Sequence, residues 1–255
     1  MAGKGRKNKP KLTTLIIAVG FILTAFSSLL LIGDFKNDLK ARAEYESLRG
    51  LADSAIVIEV TPPIYDVYED KTDTEPYVYS HEEPGKEQED DIILPITDFA
   101  ALAEINPDIV GRIIIPGTTI DYPVVRGRDN NFYLRTTFSG ARNPAGAIFM
   151  DYRSSFDDTL ILIHGHSMRD GSMFSPLNMF RCEDFSENFR DIIIMTTDGE
   201  INTYTIFEVR PVDVWNDIYK LDFSDPDLLD TEQVLALSTC LEGGTRNERL
   251  LVLAK

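Results

Sequence analysis

A cysteine near the C-terminus stands where a chain can expose a reactive thiol. Cys240 ends the apolar run VLALSTC and precedes a Gly-Gly loop, so it lies at the end of a predicted strand. Strand ends and the loops after them are where a rigid scaffold presents reactive groups to solvent. A thiol is a far better nucleophile as the thiolate, which a nearby imidazole or cation favours. Cys240 is therefore the candidate nucleophile.

Two histidines can supply the imidazole. His81 lies in an acidic segment, whereas His164 and His166 follow the apolar run TLILI and open the loop GHSMRDGSMF. A positioned general acid or base is typically worth ~10² to 10⁴ in rate. One of these two loop histidines is therefore the candidate acid for a departing amine.

Two arginines follow Cys240 and can supply a cation. Arg246 lies in the loop, where a solvated role is the default, but Arg249 immediately precedes the apolar run LLVL. Arg249 would start a strand in fixed register with a neighbour, which could be the strand that ends in Cys240. One donor aimed at a developing oxyanion contributes roughly 2.7 to 4 kcal/mol to transition-state stabilisation. Cys240, a loop histidine and Arg249 thus suffice for acyl transfer.

The same residue types allow other interpretations. A single cysteine in a strand is often an inert buried residue, and Cys182, in MFRCEDF, is the candidate for that role. His164 and His166 are two apart on a strand, so they point to one side and could share a metal ion, with Asp170 or Cys240 as a further ligand. Acyl transfer needs no such ion, and no metal or organic cofactor is implied.

The N-terminal region carries a membrane signal. Residues 12–33 contain no charged residue over 22 positions, enough for a helix to cross ~30 Å of hydrocarbon. Basic residues without any acidic one precede them, which predicts a cytoplasmic N-terminus and an extracellular remainder. A cleaved signal peptide is the alternative, but its apolar core is usually ~7 to 15 residues. We expect residues 1–11 to be cytoplasmic and residues 12–33 to be an uncleaved signal anchor.

The charge distribution limits the partners. A formal net charge of −17 argues against nucleic acid, which requires a basic face. Residues 66–91, here called the acidic segment, hold eleven Asp or Glu against two Lys. Such a stretch buries too little apolar surface to offset its ordering entropy. Residues 34–96 are therefore predicted to be an extracellular helix, over 35–55, and a solvated stalk between membrane and domain.

The remaining residues, 97–255, show the pattern of one β-rich domain. Thr97 or Asp98 can cap a helix over FAALAEI, which Asn106-Pro107 stops. Short β-type runs punctuated by turns follow from Gly111 onward. Asp198-Gly199 between two such runs predicts a hairpin with a type I′ turn. Many strands with little helix between them favour an antiparallel sandwich or closed barrel over a βαβ sheet.

The combination of LSTC, a loop and an arginine before an apolar run, with GHSMRDGSMF upstream, resembles a class B sortase. The resemblance runs from about Asp98 to Lys255 and includes NPDIVGRIIIPGTTIDYPVV, DNNFYL and GAIFMDYR. It implies a mainly β fold, an eight-stranded β-barrel with N-terminal helices, preceded by a single transmembrane helix. Residues 97–255 would then be the catalytic sortase domain.

The resemblance also implies roles for individual residues. The family's nucleophile falls on Cys240, its general acid or base on His166, and its oxyanion-stabilising or substrate-positioning arginine on Arg249. His164 occupies a position that is commonly aromatic in relatives, which implies a structural role. Four further positions match those that line the substrate groove in relatives: Ser238, Thr239, Asn130 and Leu134.

The implied activity is cysteine transpeptidation at the outer face of a Gram-positive membrane. A secreted protein with a C-terminal sorting pentapeptide is cut after threonine, which leaves a thioester on the enzyme. An amine of a peptidoglycan precursor, or a pilin lysine, then resolves the thioester. A non-catalytic surface module that binds peptides and a cysteine hydrolase of the same fold are the alternatives.

One segment departs from the family pattern. Relatives insert a long helix and a further strand segment ahead of the nucleophile's strand, but here only Ser224 to Ala236 lie between Phe223 and LSTC. These residues allow about one turn of helix, capped by Ser224. The missing stretch forms one wall of the substrate groove in relatives, so we expect an altered sorting-signal preference or reduced activity.

Overall fold

The computed structural model describes residues 12–53, 57–58, 94–95, 97–221 and 233–255. The predicted cytoplasmic N-terminus, His81, the acidic segment and residues 224–232 of the shortened segment lie outside these ranges. The strands and helices below belong to the described part of the chain.

Eight strands close into a barrel, as the resemblance implied. Their order around the barrel is β8-β6-β5-β1-β2-β3-β4-β7, and β7 pairs with β8 to close it. Numbered along the chain, the strands are β1 Ile109–Ile114, β2 Asp121–Val125, β3 Ile148–Met150, β4 Leu160–His164, β5 Asp191–Thr196, β6 Ile201–Asp213, β7 Val234–Cys240 and β8 Glu248–Ala254.

Two of the strand pairs are parallel, which differs from the antiparallel expectation. β2 pairs with β3, and β4 pairs with β7, in parallel register. A parallel pair needs a connection of about a dozen residues or more. Residues 126–147 provide one between β2 and β3, and β5 and β6 intervene between β4 and β7. The β4–β7 pair matters most, because both strands lead into the candidate site.

The central strands are buried on both faces. In β4 and β7, alternate residues such as Ile161 and Leu235 belong to the main core inside the barrel. Their neighbours, such as Leu162 and Ala236, belong to a second apolar cluster with Ile218. Ile218 lies in a short 3₁₀ helix, Asp217–Lys220, so this helix covers the outer face of the strands. The continuous apolar runs in the sequence follow from this double burial.

Helix α1 runs without interruption from Leu12 to Ala52, where the sequence predicted an anchor and a separate short helix. Its apolar N-terminal part is a candidate membrane span. Its C-terminal part packs against the barrel through a stripe at helical spacing, and Tyr45 donates a hydrogen bond to the carbonyl of Gly146 at 2.7 Å. The stripe consists of Ala41, Tyr45, Leu48 and Ala52.

The two flanks of the acidic segment meet at the end of α1. The amide of Asp98 donates to the carbonyl of Ala52 at 3.1 Å, and residues 57–58 pair antiparallel with residues 94–95. Helix α1 therefore packs on the barrel ahead of the acidic segment in the chain. The acidic segment itself lies outside the described residues, and its role as a stalk stays a prediction.

The remaining helices are short. α2, Phe99–Ile105, is capped by Asp98, whose carboxylate accepts from the amide of Ala101, as predicted. The 3₁₀ helices Phe132–Leu134 and Ser175–Arg181 precede α3, Glu183–Asn188.

Two local predictions need correction. Gly199 in the β5–β6 hairpin has a φ of 94°, but Asp198 is not in the left-handed region, so the turn is not type I′. The pattern fits a type I turn followed by a left-handed glycine. Cys182 is exposed at the start of α3, because that helix lies on the surface. It does not have the buried role predicted for it.

Candidate active site

Strand pairing places the predicted catalytic residues. Arg249 lies directly opposite Cys240 in the antiparallel β7–β8 pair, and His164 lies beside Ser238 in the parallel β4–β7 pair. The amide of Gly165 extends this pairing by donating to the carbonyl of Ser238 at 3.1 Å. The three strands therefore deliver the thiol, the imidazole and the guanidinium to one end of the barrel.

A groove of about 530 Å³ opens at this end. All seven residues that the sequence singled out for catalysis or substrate binding line it. They are Asn130, Leu134, His166, Ser238, Thr239, Cys240 and Arg249.

The Cys240 thiol is exposed, whereas the Arg249 guanidinium is held by contacts with the backbone. Cys240 is the last residue of β7 and is exposed. Arg249 donates from Nη1 to the carbonyls of Arg246 and Glu248, at 3.0 Å each. Both acceptors are backbone groups of the loop and strand start, so the guanidinium is fixed by the fold. Arg246 thus contributes its carbonyl to the site.

His166 is fixed by a backbone contact across the groove. Its Nε2 lies 2.8 Å from the carbonyl oxygen of Leu134, which can only accept, so Nε2 carries a proton. Its own carbonyl accepts from the amide of Phe174 at 2.9 Å. An added Cβ at Gly165 would approach Ile148 Cδ1 to 2.5 Å and Phe174 Cδ2 to 2.6 Å, so a larger residue here would force these side chains to shift.

The two residues before Cys240 are buried, and only one of their hydroxyls has a hydrogen-bond partner among the described residues. Ser238 Oγ lies 2.9 Å from the hydroxyl of Tyr219. Thr239 Oγ1 has no hydrogen-bond partner among the described residues, although it is buried and lines the groove. Burying a hydroxyl without a partner is costly to the fold.

His164 is packed as an aromatic residue would be. Its ring lies 5.2 Å from that of Phe149 and 6.3 Å from that of Tyr219, measured between centroids. Its Nε2 lies 3.6 Å from a carboxylate oxygen of Asp151. Asp170, the alternative metal ligand, instead forms an ion pair with Arg42 at 2.7 Å.

The sequence reasoning did not single out every residue of the site. Phe149, Val214 and Tyr219 also line the groove, and Asp151 lies behind it. Asp151 carries a local signal, since a carboxylate directly after the apolar strand IFM has an arginine two residues later. Tyr219 has no such local signal in the sequence, because only barrel closure brings its helix beside β7.

Comparison with known proteins finds relatives over the strand-rich part of the chain. A family model described as Sortase domain matches residues 113–255. Sortase B of Listeria monocytogenes is 33% identical over 138 residues, which cover 52% of this chain and 54% of that protein. The chain thus matches about half the length of this relative.

Solved structures show the same fold. Sortase B of Bacillus anthracis has a TM-score of 0.60 at 25% identity, over 87% of this chain and 98% of that one. The Staphylococcus aureus sortase B–substrate complex has a TM-score of 0.55 at 27% identity, over 62% and 83% respectively. The class B resemblance seen in the sequence motifs is confirmed, and the chain belongs to the sortase family.

Proposed function

We propose that this protein is a membrane-anchored cysteine transpeptidase in which Cys240 is the nucleophile, His166 the general acid and base, and Arg249 the oxyanion and substrate clamp. The observation that carries the proposal is the pairing of Arg249 opposite Cys240 at the end of the barrel where His166 also lines the groove. An exposed thiol, an imidazole and a guanidinium in one groove form the minimum set for acyl transfer.

The chemistry proceeds in two balanced steps. The Cys240 thiolate attacks the carbonyl carbon of a peptide bond, and the Arg249 guanidinium stabilises the resulting oxyanion. The carbon–nitrogen bond breaks as imidazolium at His166 gives its proton to the departing amine, which leaves a thioester. A second amine loses a proton to His166, attacks the thioester carbonyl and releases the thiolate. The products are a new amide bond and the regenerated pair of Cys240 thiolate and His166 imidazolium.

The proposed first substrate is a secreted protein with a C-terminal sorting pentapeptide, cut after threonine. Leu134 is partly exposed and offers an apolar contact. Asn130 offers an amide on the same side of the groove as Leu134. The Staphylococcus aureus sortase B was solved as a complex with its substrate, which supports a substrate-binding role for this fold.

The proposed acceptor is an amine of a peptidoglycan precursor or of a pilin lysine. In this proposal residues 12–33 cross the membrane, residues 1–11 stay in the cytoplasm and residues 97–255 lie outside. The basic residues before the span and the candidate membrane helix support this orientation.

Intact-mass spectrometry of the full chain in detergent micelles tests the proposal. The full chain is required because α1 contributes buried residues to the barrel. The protein is incubated with a panel of sorting-type peptides, with and without triglycine. We expect an acyl adduct that disappears into an amide product when triglycine is present, and that is absent in Cys240→Ala.

Cys182→Ala is the matched control, because it removes the other exposed thiol and should leave the adduct intact. An adduct released only to water would favour the hydrolase. Peptide binding without any adduct, in folded protein, would favour the non-catalytic module.

A further inference from the structure

A buried carboxylate behind the groove has no part in the proposed chemistry. Asp151 directly follows β3 and is 1% exposed, and its amide donates to the carbonyl of Leu162 in β4 at 2.8 Å. Burying a charge is costly unless hydrogen bonds compensate it. The partners of this carboxylate therefore reveal what its burial achieves.

On one side, Asp151 reaches the helix that covers β4 and β7. Arg153 donates to both oxygens of Asp151, from Nε at 2.9 Å and from Nη2 at 2.8 Å. The same guanidinium donates to the carbonyl of Tyr219 at 2.8 Å and to that of Lys220 at 3.4 Å. Arg153 thus ties the helix Asp217–Lys220 to the end of β3.

That helix forms one wall of the groove. Tyr219 lines the groove, and its hydroxyl contacts Ser238 Oγ two residues before the nucleophile. The guanidinium of Arg153 holds the backbone of Tyr219, and Ser238 holds the hydroxyl. Tyr219, which forms this wall, is therefore held both at its backbone carbonyl and at its side-chain hydroxyl.

On the other side, Asp151 holds Asn130. The amide nitrogen of Asn130 donates to Asp151 Oδ2 at 2.7 Å, and its Oδ1 accepts from the amide of Tyr152 at 3.0 Å. These two contacts fix the orientation of the side-chain amide and leave its second N–H for a ligand. Asn130 lines the groove beside Leu134, so the second wall is fixed by the same carboxylate.

We propose that Asp151 is a positioning residue that sets the spacing of the two groove walls, Asn130 on one side and Tyr219 on the other. The proposal rests on the proposed transpeptidase function for its effect on substrate, but its geometry stands independently. Asp151 acts on substrate affinity through these side chains and does not touch the reacting atoms.

The chemistry of the contacts explains why a carboxylate is needed. Arg153 and Asn130 both donate to Asp151, and only an ionised carboxylate accepts on both oxygens. An asparagine of the same size would turn an N–H₂ group toward Arg153 or Asn130. A lysine in place of Arg153 is a point charge and cannot span the carboxylate and the Tyr219 carbonyl.

Steady-state kinetics of the full chain test the proposal, with the peptide that gives an acyl adduct and triglycine as acceptor. For Asp151→Asn and for Arg153→Gln we expect KM for the peptide to rise about tenfold, the loss expected from charged hydrogen bonds. We expect kcat to stay within about twofold. Asp157→Asn, at an exposed aspartate nearby, is the matched control and should leave both constants unchanged.

The rate of Cys240 alkylation by iodoacetamide, followed against pH, is expected to be unchanged in both variants. An unchanged KM in either folded variant, or a fall in kcat alone, would overturn the proposal. If Asp151→Asn does not fold, Arg153→Gln decides, because Arg153 is partly exposed and lies at the surface of the network.

Hydrogen exchange separates this proposal from the transpeptidase function itself. In Asp151→Asn we expect faster amide exchange at residues 217–221 than in wild type, with no change in the Asp157→Asn control. This outcome needs no substrate. A wild type without any acyl adduct would count against the proposed function only, whereas unchanged exchange would count against the role of Asp151.

Discussion

At the scale of single residues, the site depends on a glycine between two histidines. His164 ends β4 and packs against aromatic rings, whereas His166 turns toward the carbonyl of Leu134. The two rings diverge within three residues because Gly165 lets the backbone pass close to Ile148 and Phe174. A side chain at this position would have to displace one of them.

Gly165→Ala should therefore reduce both stability and activity. The added methyl would lie 2.5 Å from Ile148 Cδ1, and overpacking of this kind costs about 1 to 3 kcal/mol in the free energy of unfolding. We also expect slower acyl transfer, because His166 must shift. Urea unfolding and adduct formation measure the two effects. Gly50→Ala, in open space on α1, is the control and should be neutral or slightly stabilising.

At the scale of elements, a buried tyrosine anchors the helix that carries Leu134. Tyr133 donates from its hydroxyl to Asp108 Oδ2 at 2.8 Å and accepts from Asn106 Nδ2 at 3.0 Å. Burial, together with Asp108, raises the pKa of Tyr133 to about 12. The 3₁₀ helix Phe132–Leu134 is thus held to the loop before β1, and Leu134 in turn holds His166.

The raised pKa of Tyr133 predicts a loss of stability at alkaline pH. A tyrosine whose folded pKa exceeds its unfolded value of about 10 stabilises the fold in its neutral form. That contribution is complete below about pH 10 and is lost as the pH rises toward 12. The free energy of unfolding of Tyr133→Phe should be lower by about 1 to 2 kcal/mol at pH 8, because Asn106 loses a partner.

Urea unfolding of wild type and Tyr133→Phe at several values between pH 8 and 12 checks this. The difference between the free energies of unfolding of the two proteins should become smaller above pH 10. Tyr152→Phe, at an exposed tyrosine, is the control. A constant gap up to pH 12 would mean that Tyr133 does not titrate as proposed.

At the scale of the whole molecule, one buried arginine joins the N-terminal helix to the barrel. Arg112 in β1 is 2% exposed and donates to both oxygens of Asp121 and to Asp53, which follows α1. It also donates to the hydroxyl of Thr97, which precedes α2. The guanidinium therefore connects the end of α1, 59 residues away in the sequence, with the segment before α2 and with β2.

Arg112→Met should lower the free energy of unfolding by about 2 kcal/mol or more. The substitution keeps the aliphatic volume, but Asp53 loses its ion pair with Arg112 and Asp121 keeps only the longer contact with Arg49, at 3.8 Å. Charged hydrogen bonds of the kind that are lost contribute about 1.5 to 3 kcal/mol each. Both carboxylates are partly exposed, which limits the cost. Denaturant unfolding measures this loss of stability, and Arg128→Met, at an exposed arginine, is the control. Equal stability of the two variants would contradict this role.

The contacts at the end of α1 also predict that residues 59–93 can be removed. Ile58 pairs with Leu94 in antiparallel register, so an Asn-Gly turn can join them directly. We expect the shortened protein to keep its melting temperature within a few degrees and to form the same acyl adduct. Thermal unfolding and intact-mass spectrometry measure this. Loss of the adduct in a folded protein would give the acidic segment a part in catalysis.

Local sequence patterns predicted much of the secondary structure. The 22 uncharged residues gave a candidate span, the Asp98 cap and Asn106-Pro107 bounded α2, and short β-type runs gave a strand-rich domain. The parallel pairs and the uninterrupted α1 were not predicted. Both depend on contacts between distant segments, such as Tyr45 with Gly146, which no local period encodes.

The sequence by itself determined which chemistry is present, because residue types and their order along the chain carry it: two loop histidines, then a thiol, then an arginine before a strand. Only the tertiary structure decided how these groups meet. Closure of the barrel places Arg249 opposite Cys240, turns His166 toward Leu134, and buries Asp151 between the two groove walls. The physical reason is that strand register and burial result from packing of the whole chain, whereas composition and spacing are local.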